Sequence, residues 1–254
     1  MRLDKIDELC SFIIFISAWY LFSMFINLPY PHEVAKRFIE LLSTPEPVLG
    51  KNLLQHSAAS LFRVVAASSV AFTIAIPLGI ISGWNERVKN LLMPAVEILR
   101  PIPPLAWIPL AYVIFASFPN PVQVSQLFIV FVGAFFPCII TVFDTARNTP
   151  QEYIEMAKVF GADEMKILKS IILPYSLQGI LTGVRVGLGV GWMSIIAAEM
   201  LASSGAGLGY FILVMYHVGG RVAEIISGIA MIGLIGYVMN WILLKVEKVI
   251  MPWR

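Results

Sequence analysis

Apolar and polar positions divide the chain into long apolar runs separated by short polar segments. Leu9–Leu28, Ser57–Gly83, Val122–Phe143, Ile180–Leu201 and Ile225–Leu244 are the long runs. Each is close to the roughly 20 residues that a helix needs to cross a ~30 Å hydrocarbon core. A further run, Leu105–Phe118, is shorter. It follows Pro101, Pro103 and Pro104, and Pro109 lies inside it. Proline removes a backbone donor, and in lipid the freed carbonyl must find another partner. The pattern therefore predicts a broken helix at this point. The first run has Arg2 and Lys5 before it, as a signal peptide would. It is longer than a signal's apolar core, and no small-x-small site follows before Pro29, so it reads as an uncleaved anchor. The expectation is an all-α polytopic membrane protein with about six transmembrane helices, forming one transmembrane domain over residues 1–254.

Composition agrees with that reading. Hydrophobic residues make up 58% of the chain and charged residues 13%, with a mean hydropathy of +0.82. A soluble domain carries about 25% charged residues. The net charge of +2 and the absence of a basic block argue against a nucleic-acid partner. Two cysteines, Cys10 and Cys138, cannot form a disulfide framework.

Charge also orients the chain. With six crossings and a cytoplasmic N-terminus, one side collects Arg2, Lys5, Arg87, Lys89, Arg147, Lys158, Lys166, Lys169, Lys245, Lys248 and Arg254. The other side holds only Lys36, Arg37, Lys51 and Arg221. Cytoplasmic loops concentrate Lys and Arg, so both termini are expected in the cytoplasm. Were the broken third run to return to its own side, the bias would reverse.

The one large cytoplasmic region spans residues 144–178 and reads as two short helices. Thr149-Pro150-Gln151-Glu152 has the capping-box spacing, with Pro150 expected at the first helical position. Gly161 ends the first helix and Asp163 caps the second, with Pro174 marking its end. Ile154, Ala157 and Phe160 share an approximate face, with Glu155 and Lys158 beside it. Such a stripe packs either on the chain's own spans or on a partner.

These residues resemble a known motif. Glu155, Ala157, Gly161, Ile171, Leu173 and Pro174 fit the EAA pattern E-A-A-x3-G-x9-I-x-L-P of ABC importer permeases, with Met156 where the family usually has its first alanine. Leu99-Arg100-Pro101-Ile102-Pro103-Pro104-Leu105-Ala106-Trp107-Ile108-Pro109-Leu110 is similar to the nitrate, taurine, alkanesulfonate and bicarbonate branch of that family. So is Ala198-Glu199-Met200, followed by Ser203-Ser204 and Gly207-Leu208-Gly209-Tyr210. The likeness covers about residues 57–244, the core permease region. It implies the type I importer permease (MetI-like) fold in a prokaryotic inner membrane. It also implies a coupling element at Ile154, Glu155, Ala157, Lys158, Phe160, Gly161 and Ala162, with Leu173 and Pro174 closing the motif. The implied partners are two ABC ATPase subunits, a second copy of the permease and an extracytoplasmic solute-binding protein. Nucleic acid is not among them. Walker A is missing here: the Gly50-Lys51 pair is followed by Asn52. ATP and Mg are thus expected on the partner ATPase, with no cofactor on this chain, which is not expected to be an enzyme.

Other features allow more than one role. Gly179, Gly183, Gly187 and Gly191 recur at i, i+4, either for packing within the chain or along a translocation path. Arg100, Pro101, Pro103, Pro104, Trp107 and Pro109 mark the broken third span. Arg63 is expected to snorkel to the outer surface, where with Arg221 it would draw an anion. Glu199 is either a gate residue or a partner of a neighbouring loop. The glycines of Ser203–Arg221, namely Gly205, Gly207, Gly209, Gly219 and Gly220, suggest tight turns, in a gate or in a packed loop. A surface-lying amphipathic helix is expected near His32–Leu42. The three histidines have no ligand spacing, so no metal site is expected, and no G-x-S-x-G elbow supports an intramembrane hydrolase. The main rival is an ion-coupled secondary transporter of a small anion. It would place paired ionisable residues at mid-membrane, whereas this chain's charges lie mostly near the ends of its runs.

Overall fold

The computed structural model describes residues 2–26, 28–202 and 205–252. Of the residues named above, Ser203, Ser204 and Arg254 lie outside the described ones. The regular elements are helices: α1 (Arg2–Phe25), α2 (Pro31–Ser43), α3 (Leu53–Trp84), α4 (Glu86–Leu99), α5 (Ile108–Ile114), α6 (Pro121–Arg147), α7 (Gln151–Val159), α8 (Glu164–Ile167), α9 (Leu173–Leu201), α10 (Leu208–Val218) and α11 (Val222–Ile250). Four are long and apolar enough to cross a membrane: α3, α6, the continuous helix Glu164–Leu201, and α11. The pair Glu86–Leu99 and Pro104–Ile114 passes the same test but is bent by 93°. This is the expected broken run. Pro101, Pro103 and Pro104 disfavour the helical conformation for the residues before them, and the chain turns there. α1 contributes the shorter apolar stretch Ile13–Phe25.

The chain forms two compact units, residues 1–59 with 205–234 and residues 60–204 with 235–254. In the second unit α6 packs along α9. The glycine ridge makes that possible. A Cβ on Gly183 would lie 3.1 Å from the Cys138 carbonyl oxygen, and one on Gly187 would lie 2.7 Å from that of Ala134. In lipid, helices associate through packing rather than exclusion of water, so close backbone approach carries much of the stability. A Cβ on Gly189, off this seam, would meet nothing within 4 Å. The ridge therefore packs within the chain.

One expectation about this unit fails. Pro174 does not end the second loop helix. It stands in the first turn of α9, and helix runs from Glu164 through to Leu201. A π turn, Leu168–Ile172, comes just before the proline, with the Leu173 N–H donating to the Leu168 carbonyl. In a regular α turn the Pro174 ring would press on the carbonyl of Ser170; the wider turn relieves that. The helix is 38 residues long, or about 57 Å at 1.5 Å per residue.

The first unit holds α2 and α10. α2 is amphipathic as expected: Val34 and Leu41 are buried, and Lys36 is exposed. Glu33 caps it by accepting from the Tyr30 N–H at 2.9 Å. Its Arg37 bonds Glu40 at 3.1 Å and Glu224 at 3.2 Å. Burial opposes the Arg37 charge, but the two carboxylates outweigh it and raise the pKa. Arg221 joins the same ladder, 3.0 Å from Glu224 and 3.8 Å from Glu46. The glycine-rich segment is a short helix between turns. Gly205, Gly207, Gly219 and Gly220 have positive φ, but Gly209 lies inside α10 with helical geometry, which corrects its assignment to a turn. Leu208, Phe211 and Met215 of α10 are fully buried. His56 is also buried, its Nδ1 accepting from the Gly207 N–H at 3.1 Å.

Candidate functional site

The loop after α6 is built by local rules, with exceptions at its start. α7 begins at Gln151 with Pro150 as its N-cap, so Pro150 is not the first helical residue. Thr149 does not form the expected capping box. Its hydroxyl donates backwards to the Ala146 carbonyl at 2.9 Å, so it finishes α6 instead of starting α7. The far end is as read. Gly161 has φ +77°. Its N–H donates to Lys158 and the Ala162 N–H to Ala157, at 2.9 and 3.0 Å. That pair of bonds is a Schellman cap, which needs a left-handed residue where glycine stands. Asp163 caps α8, accepting from the Lys166 N–H at 2.9 Å.

The apolar stripe divides between two surroundings. Ile154 is buried, and with half-buried Ala157 and Ala162 it packs on the core of Ile139, Val142, Ala146, Ile167 and Ile172. Phe160 does not follow it inward. It is 83% exposed, beside Val159 at 85% and Met156 and Tyr153 at just over half. Ile154 thus anchors α7 while four large apolar side chains face outward. Tyr153, Met156, Ala157 and Phe160 line a hollow of about 430 Å³ with Ser170, Ile171 and Tyr175. Glu155 and Lys158 are exposed beside it. Leu173 and Pro174 are exposed at the start of α9, just after the π turn of the continuous helix. Nearby, Lys89 hydrogen-bonds Glu86 at 2.8 Å, and Arg147 lies 3.8 Å from it.

The same unit holds two cavities that share Thr141. The polar one, about 570 Å³, is lined by Thr141, Asp144, Thr145, Asn148, Gln178 and Thr182, with Gly179 at its wall. The other, about 320 Å³, is lined by Arg100, Pro104, Gly133, Pro137, Thr141, Val186 and Val190. The polar lining on α6 was not anticipated. Thr141, Thr145 and Asn148 stand at i, i+4, i+7, a spacing that places them on one helix face. In the broken segment Trp107 meets Phe128 edge-on, with centroids 6.5 Å apart. Pro109 sits in the first turn of α5, and Pro101 and Pro103 form the bend.

The buried charges also find partners that the sequence did not reveal. Arg63 does not snorkel. Its Nη1 donates to Glu199 at 2.6 Å, and both residues are buried. Ser60 donates to both oxygens of the same carboxylate, at 2.9 and 2.8 Å. Glu199 thus joins α9 to α3. Arg185 bonds Glu247 at 3.2 Å, joining α9 to α11. Among the described residues no cluster of His, Cys, Asp and Glu has the form of a metal site.

Comparison with known families decides the class. Residues 75–250 match the model of the binding-protein-dependent transport system inner membrane component. The chain belongs to this permease family. It is therefore a multi-pass inner-membrane protein of a prokaryote, a permease subunit of the ABC importer class. Relatives align over most of their length. The permease is 39% identical over 238 residues to a putative ABC transporter permease protein of Methanocaldococcus jannaschii, covering 93% of this chain and 87% of the relative. It is 35% identical to the bicarbonate transport system permease protein CmpB of Synechococcus elongatus, over 89% of this chain and 82% of that protein. Identity to the taurine transport system permease protein TauC of Escherichia coli is 32%, over 89% and 80%. Membership in a binding-protein-dependent transport family brings an ATPase and a binding protein as partners.

Proposed function

We propose that two copies of this permease form the translocation path of an ATP-driven importer for a small oxyanion such as nitrate, bicarbonate or a sulfonate like taurine. Two ATPase subunits dock on the cytoplasmic loops, and a solute-binding protein delivers the solute from outside. Both termini lie in the cytoplasm. ATP and Mg bind the ATPase, and this chain holds no cofactor and catalyses no covalent step. Closure of the ATPase dimer moves α7, and the continuous helix 164–201 carries that motion into the membrane, so that the path opens alternately to each side.

The observation that carries the reading is the divided α7. Ile154 holds the helix to the permease core, while Tyr153, Met156, Val159 and Phe160 present an apolar surface outward. Exposed apolar clusters of this kind mark protein contacts. Glu155 stands ready to meet a basic ATPase residue. The oxyanion assignment draws on the named relatives and on the resemblance of residues 99–110 to their branch.

The test is the composition of the native complex. The tagged chain, gently solubilised from its own host, should carry two permease copies and two ATPase chains. Changing Glu155 and Gly161 to Arg should strip the ATPase from the permease. A lone chain under several mild detergents, unaffected by those changes, overturns the reading.

A further inference from the structure

Arg63, Arg100, Arg185 and Arg221 lie within or close to the apolar runs, apart from the basic cytoplasmic set that includes Arg87 and Arg147. Three are engaged. Arg63 is held by Glu199, Arg185 by Glu247, and Arg221 by Glu224. None of these is left to attract a solute, which removes the outer-mouth role for Arg63 and Arg221. Arg100 differs. Among the described residues no ion pair or hydrogen bond reaches its guanidinium; its backbone N–H closes α4 on Val96. The side chain is exposed and lines the 320 Å³ cavity. Apart from Arg100 and Thr141, the side chains of the wall are apolar, and Gly133 presents bare backbone. The Thr141 hydroxyl proton is already given to the Pro137 carbonyl at 2.7 Å.

A guanidinium without a carboxylate, beside low-dielectric walls, is a strong attractor for an anion. Its planar fork matches two oxygens of a nitrate, bicarbonate or sulfonate group. A pocket of about 300 Å³ is at the lower limit for small-molecule sites. The bend at Pro101, Pro103 and Pro104 holds Arg100 at this place.

We propose that Arg100, with the cavity it lines between α6 and α9, binds the oxyanion group of the solute during passage. This rests on the importer reading and adds to it a solute-contacting residue of stated chemistry. Thr141 also lines the neighbouring polar cavity, with Asp144 and Asn148.

The experiment uses the whole importer in proteoliposomes: this permease, its ATPase and its binding protein. Uptake of 15N-nitrate, 14C-bicarbonate and 14C-taurine is measured beside binding-protein-stimulated ATP hydrolysis. For the imported anion, R100Q should cut uptake roughly tenfold or more, as expected for loss of a charge-assisted contact. Stimulated hydrolysis should stay within about twofold, and R100K should recover part of the uptake. Unchanged uptake by R100Q in an assembled, ATP-hydrolysing complex overturns this inference and leaves the importer reading intact. So does an R100K variant that assembles but falls as far as R100Q. No ATP-dependent uptake of any of the three anions by the unaltered complex overturns the oxyanion assignment and this inference with it.

Discussion

Glu199 is fully buried and accepts from Arg63 and Ser60. A buried pair is weak evidence of net stabilisation, but removing one partner leaves a charge without compensation, at a cost of about 3–5 kcal/mol. R63A should therefore lower the thermal unfolding midpoint in detergent sharply. The double variant R63M/E199L should regain most of the loss, since it removes both charges and keeps apolar volume. If the double variant is no better than R63A, the pair is not the source of the effect. None of this was legible in the sequence. Arg63 and Glu199 are 136 residues apart, and their pairing depends on how α3 meets α9. Gly161 and Asp163 were legible, because a left-handed cap and an N-cap are decided within a few residues. Thr149 shows the limit of such local reading. Its hydroxyl had two carbonyl or amide partners within reach, and the end of α6 took it.

At the scale of elements, the contact of α6 with α9 and the outward face of α7 give separate predictions. A leucine at Gly183 would drive its Cβ toward the Cys138 backbone, which cannot move aside as a flexible side chain would. G183L should destabilise the permease by roughly 1–3 kcal/mol, the usual range for overpacking. G189L should be tolerated, since that position is open. Equal losses in the two variants, read as unfolding midpoints, would sink the ridge as a packing seam. On α7, the double variant V159S/F160S should leave the midpoint nearly unchanged, because both residues are exposed. Copurified ATPase should fall about tenfold or more, as for loss of an interface anchor. I154S should instead lower the midpoint, since Ile154 is core. The i, i+3, i+6 spacing grouped Ile154, Ala157 and Phe160, but each step drifts round the helix. At 3.6 residues per turn Phe160 stands about 120° from Ile154, so it leaves the face that Ile154 occupies.

The course of the whole chain through the membrane depends on the bent pair of α4 and Pro104–Ile114. The apolar pattern located the break, and the prolines explain it. Neither fixes whether the chain leaves on the far side after a 93° bend. Basic residues decide the matter energetically. With the pair crossing, Lys158, Lys166, Lys169, Lys245 and Lys248 share the side of Arg87 and Lys89, as cytoplasmic loops require. With the pair returning, all five lie outside. Single-cysteine labelling separates the two arrangements. In a background with Cys10 and Cys138 changed to Ser, K51C should react with an impermeant maleimide added to intact cells, whereas K158C and K248C should react only once the membrane is opened. Lys158 and Lys248 lie on either side of the last two crossings, so they must label alike whether or not the bent pair spans. Labelling of both from outside would establish a re-entrant third segment. It would also place α7 beyond the reach of a cytoplasmic ATPase and overturn the coupling role of its apolar face.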